Sequence, residues 1–427
     1  MDKRFSNMFG LTEDQAIALL ETPLEQLAAP TEHYVAVSTL INFPTERSVN
    51  ALIEVLSKSS AELYDRITRR KALESLGRLQ ATRALANVRH CLDDDDRYTV
   101  ENAAWAIGEI GTTETQILED ITRLLERPEQ SYRTIIQTLE KLNYVPAVDR
   151  IRQFADHEDK TIASAAIATI CRLTENYDAI GKVLEFLEDA SVTVRRSAIQ
   201  DLITAKYYQA IGAIARCPVS LVFRLRGIRL LANDGFTAGD LAFADIESDL
   251  DAVILDHPKT LELVHEYDQK PTLDFAVREL YHTDFGRCYL AIKTLEEFYP
   301  EETPAALFET WKEEAHNDYG AHYHVIKLFG WLKHQPAYDL FVEAINNRAP
   351  QFQKSRAAAA IALSEIGDQR AIPLLKESLQ TGIFDLQYAS LLGLKKLGET
   401  VQLDWLPENA DPLIRAKAAA IAPISTP

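Results

Sequence analysis

A small residue, usually Ala, followed four positions later by an apolar anchor recurs along this chain at a nearly constant interval. It reads Ala72-Leu-Glu-Ser-Leu76-Gly-Arg-Leu79, then Ala103-Ala-Trp-Ala-Ile107-Gly-Glu-Ile110, Ala166-Ile-Ala-Thr-Ile170, Ala198-Ile-Gln-Asp-Leu202, Ala291-Ile-Lys-Thr-Leu295 and Ala359-Ala-Ile-Ala-Leu363. A last copy puts serine first, Ser390-Leu-Leu-Gly-Leu394. The anchors Leu40, Leu76, Ile107, Leu139, Ile170, Leu202, Leu231, Leu295, Phe329, Leu363 and Leu394 are spaced by 36, 31, 32, 31, 32, 29, 64, 34, 34 and 31 residues. The 64 spans two periods with a degenerate copy inside. A period of about 32 residues holds two short helices and two turns, each helix too short to stand alone but able to bury one face on its neighbours. The expected fold is all-α: an α-solenoid, or superhelix, of about eleven helix pairs.

Glycine supports the same conclusion, at 16 of 427 residues, about half the ~7 % of ordinary proteins. Residues 1–30 precede the first copy and are expected to form a helical cap. The first repeat arm is expected at 31–232 and the second at 281–427. Between them, residues 233–280 lose the Ala pattern, gain Gly235, Gly239, Pro258 and Pro271, and are rich in Asp and Glu, which predicts an irregular acidic connecting segment. Arg69, Arg195, Arg224 and Arg356 each stand seven positions before an anchor, and acidic turns at Asp65, Asp93 to Asp96 and Asp189 precede helices. Carboxylates there favour the helix dipole and can bridge to an arginine of another unit, so the pattern predicts a structural ladder.

Charge and targeting signals narrow the function. A formal net charge of −19 without a basic run disfavours nucleic acid and anionic lipid as partners. The opening MDKRFSNMFGLTEDQ lacks the apolar run of a secretory signal, and no stretch is long and apolar enough to insert in a membrane. A cytoplasmic location is expected. Cys91, Cys171, Cys217 and Cys288 lie too far apart for a metal knuckle or a disulfide framework, so reduced, buried thiols are expected.

The segment HYVAVSTLINFPTERSVNALIEVL, continued by YDRITRRKALESLGRL as far as Leu79, together with ENAAWAIGEIG from Glu101 to Gly111, resembles the HEAT-like repeats of the E/F-type phycobilin lyase family. The resemblance covers essentially the whole chain, which points to the single-chain, phycoerythrin-directed branch. It implies attachment of phycoerythrobilin, the substrate, through a thioether to a cysteine of a phycoerythrin α subunit, with or without isomerisation to phycourobilin. No cofactor is implied, and the nucleophilic thiol belongs to the acceptor protein. Without the resemblance, the residues describe a helical-repeat protein, and a non-catalytic scaffold or chaperone for a phycobiliprotein or other partner is the alternative.

An open-chain tetrapyrrole calls for a proton donor, an anion facing its pyrrole N–H groups, cations for two propionates, and aromatic walls. The densest collection of such groups is His316-Asn-Asp318-Tyr319-Gly-Ala-His322-Tyr323-His324, flanked by Trp311 and Trp331. Tyr319 is the candidate proton donor and Asp318 the candidate anion, although an Asp before a helix is also an ordinary N-cap. His316, His322, Trp105 and Trp331 are candidate bilin contacts. Arg224, Arg226 and Arg287 are candidate partners for the propionates, Arg224 also being explained by the ladder. His316, His322 and His324 do not have the spacing of a zinc-binding HExxH helix, and no metal is expected.

Overall fold

The computed structural model describes residues 10–58 and 62–422. Among them there are α-helices, short 3₁₀ turns and one π turn, and no strand. The chain divides into two compact units, Met1–Ile180 and Gly181–Pro427. The division falls within residues 31–232. The start of the expected N-terminal cap, residues 1–9, and residues 59–61 in the segment of resemblance lie outside the described residues.

In the first unit the helices are α1 (Glu13–Glu21), α2 (Glu32–Leu40), α3 (Glu46–Ser57), α4 (Leu63–Arg78), α5 (Leu85–His90), α6 (Arg97–Ile110), α7 (Thr115–Arg123), α8 (Tyr132–Lys141), α9 (Val148–Ile151) and α10 (Lys160–Thr174). The anchored helices α2, α4, α6, α8 and α10 pack each on the next, and the shorter helices lie beside them. The second unit holds α11 (Gly181–Glu185), α12 (Val192–Thr204), α13 (Ile211–Arg216), α14 (Leu221–Ala238), α15 (Phe243–Leu255), α16 (Leu273–Glu279) and α17 (Phe285–Phe298). It continues with α18 (Thr303–Thr310), α19 (Ala321–Trp331), α20 (Tyr338–Asn346), α21 (Gln353–Glu365), α22 (Ile372–Ser378), α23 (Phe384–Lys396) and α24 (Pro412–Ile421). Here α12 packs on α14, and α17, α19, α21, α23 and α24 follow one another.

Ten of the eleven anchors have no exposed surface or almost none, and Ile170 is partly buried against the same core. Close approach is built in beside them. A Cβ on Gly77 would lie 2.9 Å from the Ala106 Cα, and one on Gly330 would lie 2.7 Å from the Ala362 Cα. Four residues after seven of the anchors φ is positive, at Gln80, Gly111, Asn143, Lys206, Lys333, Gly367 and Gly398. That conformation ends each helix and satisfies its last carbonyls.

Of the expected acidic turns, Asp96 caps the next helix, Asp65 lies inside the first turn of α4, and two further acids, Asp284 and Asp411, cap helices in the same way. Asp96 accepts from the Thr99 N–H at 3.1 Å, Asp284 from Gly286 at 2.9 Å and Asp411 from Leu413 at 2.9 Å. The arginine ladder is present in part: Arg69 meets Asp94 at 2.9 Å, buried Arg195 meets Asp284 at 2.5 Å and Arg224 pairs with Asp256, whereas Arg356 donates to the Ile345 carbonyl at 2.8 Å.

The segment 233–280 is more ordered than its composition suggests. It carries α15 and α16, and α15 packs against α21, α23 and α24. Lys417, whose side chain is wholly buried, holds Glu247 and Asp251 at 2.7 Å each, and the Tyr388 hydroxyl donates to Asp251 at 2.8 Å. Two of the acidic residues that looked like a linker, Glu247 and Asp251, are therefore ion-pair partners of a buried lysine.

Candidate functional site

The expected cluster begins where α18 runs into the π turn Trp311–Ala315, an unusual local winding often found near functional groups. The turn Asp318-Tyr319-Gly320 follows and leads into α19. Asp318 Oδ1 accepts from the Gly320 and Ala321 N–H groups at 2.8 and 2.7 Å, so it caps the helix through one oxygen. Tyr319 is 52 % exposed. Its hydroxyl has no hydrogen-bond partner among the described residues, burial of the ring side raises its pKa, and the nearby Arg196 charge opposes that rise.

Beneath the Tyr319 ring lies a residue the sequence did not single out. Lys354, on the first turn of α21, places its Nζ 3.6 Å from the Tyr319 ring centroid, 4.3 Å from that of Phe285 and 5.1 Å from that of Tyr323. Burial lowers its ammonium to about 7, with the Asp256 and Asp318 carboxylates opposing. On the outer side of Tyr319, Arg196 of α12 covers the half-exposed Phe223 ring at 4.7 Å. A second patch adjoins through α21: Arg356 and Arg229 bear on Asp385, and Arg229 lies 4.0 Å over the Phe384 ring. Burial raises the Asp385 carboxyl to about 6. Residues in or just before α12, α14, α19, α21 and α23 thus supply cations, rings and two acidic groups.

The other sequence candidates divide. His316 is exposed and donates through Nδ1 to the Trp311 carbonyl at 2.9 Å. His322 is buried, stacked on Phe352 at 4.2 Å and joined to Ser355 at 2.9 Å. Burial and the Lys354 charge lower its pKa to about 4, so it is neutral and shapes the wall from behind. Arg226 is exposed and bonds to Gln200 at 2.7 Å, still available on the face of α14. Arg287 is engaged with Glu279 at 2.8 Å. Trp331 sits at the far end of α19 from Tyr319, against His257 at 4.6 Å. Trp105 belongs to the first unit, its ring edge over Gly77, and is core packing.

Arg224 requires correction as a propionate partner. Its side chain has no exposed surface, it is paired with equally buried Asp256, and it donates to the Val219 and Ala215 carbonyls at 3.0 and 3.1 Å. Asp256 also accepts from the Tyr289 hydroxyl at 3.0 Å and from the Tyr323 hydroxyl. A guanidinium with its donors committed inside the protein cannot greet a ligand. All four cysteines are free and buried, and burial raises each thiol pKa, so none is poised as a nucleophile. Among the described residues no three His, Cys, Asp or Glu side chains gather as a metal site.

Residues 49–140 match HEAT repeats, and residues 355–381 match the PBS lyase HEAT-like repeat. The chain is 54 % identical over 98 % of its length to the "Uncharacterized phycocyanin operon protein Y" of Pseudanabaena tenuis (strain PCC 7409), covering 99 % of that protein. It is 34 % identical over 86 % of its length to the "Bilin biosynthesis protein CpeY" of Synechococcus sp. (strain WH8020), covering 90 % of it. The chain belongs to the HEAT-repeat bilin lyase family. A further member, the "Phycocyanobilin lyase subunit alpha" of Picosynechococcus sp. (strain ATCC 27264 / PCC 7002 / PR-6), is 29 % identical over 40 % of this chain and 69 % of its own. The solved complex of CpcE and CpcF of phycocyanin lyase from Nostoc sp. PCC7120 aligns over 57 % of this chain and 95 % of its own, at a TM-score of 0.49 and 23 % identity. The match at residues 355–381 begins within α21 and includes Arg356, with Lys354 one residue before it. No helix among the described residues is long and apolar enough to cross a membrane.

Proposed function

We propose that this bilin lyase family member attaches phycoerythrobilin through a thioether to a cysteine of a phycobiliprotein α subunit, with phycoerythrin as the acceptor. The observation that carries the reading is the exposed, unpaired Tyr319 hydroxyl beside a half-used Asp318 carboxylate, with Lys354 under the Tyr319 ring and the Arg196 charge acting on its hydroxyl. Tyr319 gives a proton to the conjugated system, which makes the ethylidene carbon electrophilic. The second Asp318 oxygen accepts from pyrrole N–H groups and stays paired with the developing cation. The acceptor sulfur forms the C–S bond, and its proton returns through solvent to the tyrosinate. The sum is addition of S–H across one double bond, so no oxidant or reductant is needed. A second proton step at another carbon would shift a double bond, which makes isomerisation to phycourobilin an alternative outcome of the same acid–base pair.

The test is to mix the purified protein with phycoerythrobilin and, separately, with phycoerythrin and phycocyanin α subunits, then to look for covalent pigment on a denaturing gel. Pigment on the phycoerythrin subunit is expected. Pigment on the phycocyanin subunit alone would move the acceptor, and binding of an α subunit with no pigment on either would favour a scaffold.

A further inference from the structure

We propose that Lys354 is the receptor for one carboxylate of the bilin, and that the Tyr319 ring is the movable cover over it. The proposal rests on the bilin-lyase reading and adds to it a binding group for a propionate.

Lys354 is 3 % exposed, and its Nζ, with three protons to donate, has no hydrogen-bond acceptor among the described residues. Phe285, Tyr323 and Tyr319 box it in with ring faces at the distances given above. Behind them His324, fully buried, also leaves both ring nitrogens without a partner and packs edge-on to Phe285 at 4.5 Å. Ring faces attract an ammonium, but they offset only part of the cost of removing it from water. A methionine would fill the same space without that cost. Stability alone therefore does not account for a lysine here.

The three walls are not equivalent. Phe285 and Tyr323 are 4 % and 1 % exposed, and the Tyr323 hydroxyl is fixed on Asp256. Tyr319 is half exposed, lies in the turn before α19, and has no hydrogen bond to its hydroxyl. It is the wall that can swing without breaking a polar contact. What lies outside it is also cationic, since Arg196 is close enough to act on the Tyr319 hydroxyl, and its Nε is itself without a partner. An anion reaching Lys354 from the Tyr319 side would pass between two cations and replace a ring face with a charged oxygen pair. The aromatic lining favours a carboxylate carried on a flat conjugated body over inorganic phosphate.

The experiment is an absorbance titration of phycoerythrobilin and of its propionate dimethyl ester against the unmodified protein, Lys354→Met and Lys354→Arg. The unmodified protein should bind the acid at least tenfold more tightly than the ester. Lys354→Met should lose that preference and Lys354→Arg should recover part of it. A preference unchanged in Lys354→Met overturns the proposal while leaving the lyase reading intact; failure of the unmodified protein to bind either bilin removes the lyase reading itself, and this assignment with it. A second measurement needs no variant at position 354: amine acylation, read at Lys354 by peptide mass spectrometry. Tyr319→Ala should raise the acylation rate at least fivefold, and the bilin acid, but not the ester, should protect Lys354 in the unmodified protein. Equal acylation under all these conditions would sink the idea.

Discussion

Arg229 places its Nη2 2.6 Å from Asp411 Oδ2, across 182 positions of sequence, and lays its guanidinium over Phe384 at 4.0 Å. An early helix of the second unit, α14, is thereby tied to the start of its last helix. Both partners remain partly exposed, at 39 % and 26 %, so the ion pair itself is worth about 0.2–1 kcal/mol. A double-mutant cycle with Arg229→Met and Asp411→Asn, followed by urea unfolding at low and high salt, should return a coupling in that range that shrinks with salt. A coupling of several kcal/mol would mean that the contact is shielded from water.

Asp256 is a different case. It has no exposed surface, and it receives Arg224 and the hydroxyls of Tyr289 and Tyr323. Asp256→Asn keeps a residue tolerant of the left-handed φ of 54° there but leaves a buried guanidinium without its counter-charge. The expected loss is roughly 3–5 kcal/mol, read as a lower midpoint in chemical denaturation. A change below 1 kcal/mol would show that water reaches the cluster.

The Lys354 ammonium, held down to about 7 by burial, makes stability depend on pH. An unfolded lysine titrates near ~10.4. Between those values the unfolded chain binds the extra proton, so stability rises with pH from about 7 toward 10. Below about 7 the lysine is charged in both states and the burial cost is present in full. Lys354→Met should therefore be more stable than the parent at pH 6, with the gap narrowing by pH 9. Parallel stability curves for the two proteins would contradict the assignment.

Tyr319→Phe removes the proposed proton donor and leaves the ring over Lys354. The attachment rate should fall by roughly 10²–10⁴ with helicity and acceptor binding retained. Asp318→Asn keeps a capping oxygen for Gly320 and Ala321, so any loss of rate in that variant with an unchanged melting temperature belongs to the bilin and not to the cap. Parent-like rates in both would reduce the pair to a helix cap and an exposed ring.

Lys333 follows its anchor by four residues at φ 51° and is exposed. An L-residue there costs roughly 1–2 kcal/mol, more than the added flexibility of glycine in the unfolded chain. Lys333→Gly should raise stability by about 0.5–1 kcal/mol, measured by thermal unfolding. Gly367 and Gly398 already use that solution at the equivalent place in later copies.

The repeat was legible because its signal is local. Ala at one position and an apolar anchor four later report a buried helix face, and those anchors are the core. The capping acids and the Arg69 and Arg195 pairs were legible for the same reason, being short-range chemistry repeated in register. Lys354 was not, because QKSRAAAA reads as an ordinary polar helix start; its burial comes from a ring 35 residues earlier in sequence and from Phe285. The trio Arg224, Arg226 and Arg229 looked alike in sequence. Helix periodicity turned the first into the core, the second to solvent and the third toward α24. For the segment 233–280, acidic composition resembled a linker because its cationic partner, Lys417, lies 170 and 166 residues away from Glu247 and Asp251.

Anchors occupy the later turns of their helices, whereas Arg196, Phe223, Tyr319, Lys354 and Asp385 all stand within the first two turns or just before them. The anchors and the candidate groups therefore occupy different registers of the same helices. Where a helix-start residue is exposed, as Tyr319 is, a substitution can change the surface while the anchors beneath keep their packing; where it is buried, as Lys354 is, the change is also felt in stability.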